Sequence, residues 1–254
     1  MEMLSDPLFW AGLGSITLIN IVLSGDNAVV IALAARSLPA HQRAKAVMWG
    51  AGAAVIMRII LTIIAVEMLK WPYLKIIGAL LLFWIAVKLL VPEDGDDDIE
   101  GSDNLVKAIK TILIADLVMS LDNVIGVAAA AKGNMTLLVL GLAISIPIVI
   151  FGATMLMKLM EKWPIIITIG AGLLGWVAGE MLLTDPAWAS WISTTFPWLH
   201  VHLGKVDFNW VQVAGAAFVI LVGKHLAKKA EAHAEAGHKI VDLAASDAHN
   251  KVTK

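Results

Sequence analysis

The chain has 254 residues, of which 59% are hydrophobic and 16% charged, with a formal net charge of −2 and no cysteine. Soluble domains average about 45–50% apolar and about 25% charged, so this composition and the mean hydropathy of +0.81 exclude a soluble enzyme with an ordinary core. Disulfides, thiolate metal sites and cysteine nucleophiles are excluded as well, and a near-neutral charge offers no field to draw in nucleic acid.

A membrane-crossing helix takes about 20 apolar residues. Apolar stretches between charged interruptions predict seven spans, over about 8–35, 44–66, 71–91, 105–131, 135–158, 163–184 and 208–227. The first stretch follows Glu2 and Asp6, has no basic leader and is too long for a signal peptide, so it is read as a retained span. It carries Asn20, Ser24, Asp26 and Asn27. Span 2 holds Arg58 at depth and Glu67 near its outer end. Span 3 opens at Trp71-Pro72 and carries Lys88 near its inner end, where a long stem lets the ammonium snorkel to the interface.

An acidic linker over 93–104 follows, with Glu93, Asp94, Asp96, Asp97, Asp98, Glu100 and Asp103. An EF-hand is rejected there, because Lys107 stands where the bidentate Glu belongs. The linker reads as a solvated tether, with weak cation gathering as the alternative. Span 4 carries Asp116, Met119, Ser120, Asp122 and Asn123. Pro147 predicts a kink in span 5, and Glu180 lies near the outer end of span 6. Trp188, Trp191, Trp198 and Trp210 bracket an outer loop over 185–207, which is expected to lie along the membrane surface. After span 7 a tail over 228–254 is expected to extend the helix and fray. The histidines, among them His200, His202, His225, His233, His238 and His249, form no zinc pattern.

Lysine and arginine set the orientation. Arg36, Arg43, Lys45, Lys107, Lys110, Lys158, Lys162, Lys224, Lys228, Lys229 and Lys239 share one side, against Lys70, Lys75, Lys132 and Lys205 on the other. The N-terminus is therefore expected outside and the C-terminus in the cytoplasm.

The sequence also repeats. NIVLSGDNAVVIALAA over 20–35 matches DLVMSLDNVIGVAAAA over 116–131, so that Ser24, Asp26 and Asn27 recur as Ser120, Asp122 and Asn123. Downstream, Trp71-Pro72, Gly78 and Trp84 recur as Trp163-Pro164, Gly170 and Trp176. Each copy holds three spans, an odd number, so the second enters the membrane upside down. The expected fold is all-α, with a three-helix unit over 1–92, an inverted copy over 105–184 and one extra C-terminal span. Transporters of this inverted-repeat kind bind their substrate near the midplane, at the repeat interface.

A carboxylate at a helix centre costs about 2.5–3.5 kcal/mol on insertion scales and faces a cavity or a partner. Asp26, Asp116 and Asp122 all lie inside spans, so a functional site is the default reading; a polar packing motif is the alternative. Asp116, Met119, Ser120 and Asn123 share one helical face, and Asn20, Leu23, Ser24 and Asn27 repeat it. Asp26 and Asp122 fall roughly 120° from the first residue of each set. A straight helix aims them at a neighbour, whereas a local break swings them inward; Gly25 permits a break in span 1, while Leu121 stands at that place in span 4.

The donors are oxygens, which suit hard divalent cations such as Mg²⁺, Ca²⁺ and Mn²⁺. Met119 could add one sulfur or simply pack. Asp116 stands where the first copy has neutral Asn20, so it could carry a proton in exchange. Arg58, whose counterpart is Ile150, either pairs with the empty acidic site and swings away when the ion binds, or makes a fixed structural pair. Glu67 and Glu180 could line an outer vestibule.

SGDNAVVIALAAR and SLDNVIGVAAAA in a chain of seven predicted spans resemble the TerC family of integral membrane proteins, in particular its YjbE-type branch, over residues 8–227. The resemblance implies a place in the LysE-type exporter superfamily and a role in manganese homeostasis, mainly Mn²⁺ efflux, with a weaker link to tellurite resistance. By motif matching it implies Asp26, Asn27, Asp122 and Asn123 as ion-binding positions.

The expected function is therefore a plasma-membrane transporter, not an enzyme, exporting a divalent cation with Mn²⁺ as cargo and no cofactor. Its partners are the ion and the lipid bilayer, and a homo-oligomer is compatible with the sequence. The outward direction comes only from the resemblance. An exporter of amino acids or other small organic solutes needs a cation for the α-carboxylate, and the acidic motifs argue against it. An intramembrane aspartyl protease using Asp26 and Asp122 is disfavoured by the Asn after each Asp and by the lack of a GxGD sequence. A membrane partner that delivers metal to secreted enzymes would need the same ion path.

Overall fold

A computed structural model describes residues 7–68, 71–91, 101–131, 134–203 and 206–252. The side chains of Glu67, Asp122, Asn123, His200 and His202, the acidic linker through residue 100 and the tail histidines His233, His238 and His249 lie outside the described residues.

In chain order the helices are α1 (Pro7–Leu23), α2 (Gly25–Arg36), α3 (Ala40–Met68), α4 (Leu74–Leu90), α5 (Gly101–Ala131), α6 (Met135–Lys162), α7 (Ile165–Leu183), α8 (Ala189–Thr195) and α9 (Trp210–Val252). Four of the described helices are long and apolar enough to cross a membrane: Ala40–Thr62, Thr136–Lys162, Ile165–Leu183 and Trp210–Ala232. They coincide with predicted spans 2, 5, 6 and 7. The first predicted span differs for a physical reason: it is interrupted at Ser24, which divides it into two shorter helices. Ser24 has φ −106° and ψ 7°, a bridge conformation at a Ser-Gly pair of the kind that bends helices. Helical hydrogen bonding resumes with the Ala28 N–H donating to the Ser24 carbonyl at 3.1 Å. The equivalent place in span 4 stays helical, since α5 runs through Leu121 unbroken. α6 likewise continues through Pro147.

The loop over 185–207 is built rather than irregular. It consists of α8, a 3-10 turn at Pro197–Leu199 and a hairpin of β1 (His200–Leu203) and β2 (Val206–Asn209), with His200 opposite Asn209. The hairpin delivers the chain to α9 through a reciprocal cap. The Asn209 side chain accepts the Gln212 N–H and the Gln212 side chain accepts the Asn209 N–H, both at 2.8 Å. Gln212 also donates to Glu180 at 3.0 Å. Glu180, considered as part of an outer vestibule, thus serves to tie α7 to α9.

Asp185, just beyond α7, anchors the start of α4. It is fully buried and accepts backbone N–H groups from Tyr73 at 2.9 Å, Lys75 at 3.0 Å, Ile76 at 3.3 Å and Ala187 at 2.8 Å. Tyr73 holds φ 69°, the single positive φ outside glycine among the described residues, and the Asp185 bond steadies that costly conformation. Burial pushes the Asp185 carboxyl up, but the four N–H donors outweigh it and hold it below its ordinary value.

Helix contacts fall into matched sets. α3 packs on α5 while α1 and α2 pack on α6; α4 touches α5 while α2 touches α7. α4 also packs on α7, α1 and α2 on α5, and α3 on α6. Gly50 sits against Ile112 across α3 and α5, and Gly141 against Ile16 across α6 and α1. Ile16 and Ile112 stand one helical turn before Asn20 and Asp116, so these contacts set the depth of both polar groups. The main core joins α2, α3, α4, α5, α6 and α7 through Leu33, Val47, Leu82, Ile112, Met160 and Leu174. α9 lies outside those matched sets, along α7 and α4. Large apolar side chains such as Ile56, Trp84, Phe151, Ile169 and Leu221 face outward, as lipid contact requires.

Candidate functional site

The break at Ser24 and the unbroken α5 face each other across Arg58. Arg58 projects from α3 and is only 3% exposed. Its Nη2 donates to Asp116 at 2.5 Å and its Nε to the Ser120 hydroxyl at 2.9 Å. Its Nη1 donates to Asn20 Oδ1 at 3.0 Å and to the Ser24 hydroxyl at 2.8 Å. A guanidinium has five N–H donors, and four are committed here.

The serines complete the pattern. Ser120 donates to Asp116 at 3.2 Å, and Ser24 is placed at 3.5 Å to donate to Asn20. Each hydroxyl accepts from Arg58 and donates one turn back along its own helix. Asn20 with Ser24 and Asp116 with Ser120 are the corresponding pairs of the two sequence copies, and both grip one guanidinium. The ion pair Arg58–Asp116 is buried on both sides. A buried pair of this kind is held by geometry and accessory hydrogen bonds rather than by Coulomb attraction alone.

A small, partly open cavity adjoins this network. Its polar lining is Asn20, Ser24, Asn27, Arg58, Asp116 and Ser145, against apolar walls that include Ile31, Ala54 and Val149. Asn20 donates its amide to the Ser145 hydroxyl, and Ser145 donates to the Leu142 carbonyl at 2.7 Å. Asn27 differs from its neighbours: it is 3% exposed, and among the described residues neither its amide oxygen nor its nitrogen has a hydrogen-bond partner. Buried polar groups are nearly always satisfied, so an amide left open on a cavity wall points to something polar that the cavity receives.

Of the predicted site residues, Asn20, Ser24, Asn27, Asp116 and Ser120 are brought together. Asp26 stands beside them: it is half-buried, accepts the Asn27 N–H at 2.9 Å and is near enough to feel the charges of Arg58 and Asp116, though it does not line the cavity. The helix break is present, and it turns Ser24 and Asn27 to the cavity. Asp122, Asn123 and Glu67 lie outside the described residues. Among the described residues no three His, Cys, Asp or Glu side chains cluster as a metal site; the donors gathered here are amide and hydroxyl groups around a single carboxylate. Met119 is buried in the main core, as packing predicts. Lys88 sits over the Trp84 ring at 5.5 Å. Ser145 was not anticipated; an isolated serine in an apolar span close to Pro147 was the available signal.

Comparison with known proteins fits this picture. A model described as the integral membrane protein TerC family matches residues 5–206. The chain is similar to the uncharacterized membrane protein YjbE of Bacillus subtilis (strain 168), with 45% identity over 167 residues, covering 66% of this chain and 77% of that one. It is similar to the uncharacterized membrane protein YceF of the same organism, 27% identical over 71% of this chain and 74% of that one. It is also similar to the UPF0053 inner membrane protein YgdQ of Escherichia coli (strain K12), 28% identical over 63% of this chain and 75% of that one. No solved structure matches.

Proposed function

The chain belongs to the TerC family of integral membrane proteins, and from that premise we propose that it is a plasma-membrane transporter exporting a divalent metal cation, Mn²⁺ foremost. One observation carries the reading. Corresponding polar pairs from the two sequence copies, Asn20–Ser24 and Asp116–Ser120, converge on one point beside a cavity, deep among apolar helices.

The matched helix contacts support two inverted three-helix repeats with α9 added, and alternating access then follows from one repeat rocking against the other. The cargo would meet the Asp116 carboxylate, the open Asn27 oxygen and the oxygens of Asn20, Ser24, Ser120 and Ser145, a hard-ligand set suited to Mn²⁺, Ca²⁺ or Mg²⁺. Asp26, Asp122 and Asn123 join this set by motif. The lysine and arginine distribution supports an N-terminus outside and a C-terminus in the cytoplasm, and the resemblance supplies the outward direction. No catalytic role is assigned to any residue.

A second reading gains from Arg58. A zwitterionic solute needs one cation and one anion, and Arg58 beside Asp116 supplies both. It ranks second because four of the five guanidinium donors are already engaged. A partner that hands metal to secreted enzymes would use the same path. Reconstitution in liposomes with Mn²⁺ flux measured for wild type, Asp116→Ala and Asp122→Ala tests the proposal. Flux should disappear in both variants; equal flux in all three would remove the site assignment.

A further inference from the structure

We propose that Arg58 is a tethered counter-cation: it occupies the acidic site when the cargo has left, so the empty transporter returns without a counter-transported ion or proton. This rests on the transport reading and names its coupling mode.

Three observations lead there. First, the guanidinium is seated on the same atoms that would hold the cargo, namely Asp116, Asn20, Ser24 and Ser120. A dication and a guanidinium repel strongly at such range in a low-dielectric interior, so the two exclude each other. Second, Arg58 lines the cavity together with Asn27, whose amide oxygen and nitrogen have no partner among the described residues. The guanidinium thus borders the pocket, and Asn27 is placed to join an arriving ion. Third, the device is single. Arg58 corresponds to Ile150 in the second copy, so one positive charge serves the shared site.

The consequence concerns the return step. An isolated carboxylate in the middle of a membrane protein is strongly disfavoured, so a carrier that releases its cargo must neutralise the site before it closes again. Protons or counter-ions do this in coupled carriers. Here the positive charge is covalently attached, and arginine does not deprotonate at accessible pH. Net transport therefore depends on Arg58 in a way that one-for-one exchange of cargo does not, because exchange never passes through the empty state.

The experiment uses the full chain in proteoliposomes. Net Mn²⁺ movement into Mn²⁺-free buffer and Mn²⁺–Mn²⁺ exchange are measured side by side, with potassium and valinomycin clamping the voltage. Wild type should show both, and collapsing any pH gradient should leave net flux unchanged. In Arg58→Gln the ratio of net flux to exchange should fall at least tenfold. Arg58→Lys keeps the charge but loses the planar fork, and should hold the ratio within about threefold of wild type. A wild type whose net flux requires protons overturns the proposal. So does an Arg58→Lys protein with both modes lost together, or an unchanged ratio in Arg58→Gln. Each of these leaves metal transport itself standing. A wild type that moves no Mn²⁺ in either mode overturns the transport reading and this proposal with it. Arg58→Lys and the wild-type proton test still decide the matter if Arg58→Gln does not fold.

Discussion

The polar centre between α1, α3, α5 and α6 and the seam where α9 lies on α7 and α4 are held together by opposite means. At the seam, backbones nearly touch. A Cβ at Gly175 would lie 2.5 Å from the Gly215 carbonyl oxygen, one at Gly179 would lie 2.5 Å from that of Val211, and one at Gly215 would strike Gly175. Small residues allow this approach, and lipid-embedded helices associate largely through such contact. At the centre, long polar side chains span a wider gap beside a cavity. The seam has no slack, whereas the centre can rearrange by exchanging hydrogen-bond partners.

The largest expected effect falls on the centre. Asp116→Asn leaves the Arg58 charge buried without its counter-charge, and the unfolding free energy in detergent should drop by about 3–5 kcal/mol. Replacing both partners by leucine should recover most of that loss while abolishing transport; failure to recover would mean that the pair is needed to specify the fold.

The seam comes next. Gly215→Ala sets a methyl against a backbone carbonyl that no rotamer change can avoid, and should cost about 3 kcal/mol, the upper end for overpacking. Gly14→Ala, with no atom within 4 Å of the new carbon, should cost nothing. Equal melting temperatures for these two variants would show that the seam has slack after all.

Asp185 ranks third. Asp185→Ala removes a buried charged acceptor and should cost about 2 kcal/mol. Because its folded carboxyl lies below the ordinary value, its contribution is complete above the unfolded pKa of about 3.9 and is lost as pH falls further. The gap between the melting temperatures of wild type and variant should therefore hold from neutral pH down to about 3.9 and narrow below it. Ser145→Ala, which removes the acceptor for Asn20, should cost about 1 kcal/mol. The smallest change in stability is expected at Asn27. Neither amide atom has a partner among the described residues, so Asn27→Leu should leave the melting temperature unchanged or raise it, while abolishing the stabilising shift that the transport proposal expects from added Mn²⁺. A large loss of stability would show that the amide has a structural partner and is not held open for cargo.

Much of this was readable along the chain. The stretches that became α3, α6, α7 and the first half of α9 were visible as apolar runs, and the face shared by Asn20, Ser24 and Asn27 followed from helical spacing alone. Arg58 was recognised as anomalous because a charge that deep requires a reason. The break at Ser24 was visible only as a choice, since Gly25 permits it without demanding it. Asp26, the most prominent acid of the first motif, is half-buried beside the Arg58–Asp116 pair rather than on the cavity lining, a placement that helical spacing alone left open.

Class, helix positions and the duplicated motif belong to the sequence, since hydrophobic run length and helical period are properties of neighbouring residues. Partner choice belongs to the tertiary structure. That Arg58 meets both Asn20–Ser24 and Asp116–Ser120, that Asp185 holds the start of α4, and that Asn27 is left open all depend on groups far apart in the chain. A buried charge or amide takes whatever the packed helices bring within hydrogen-bonding distance, and only the packing decides which groups those are.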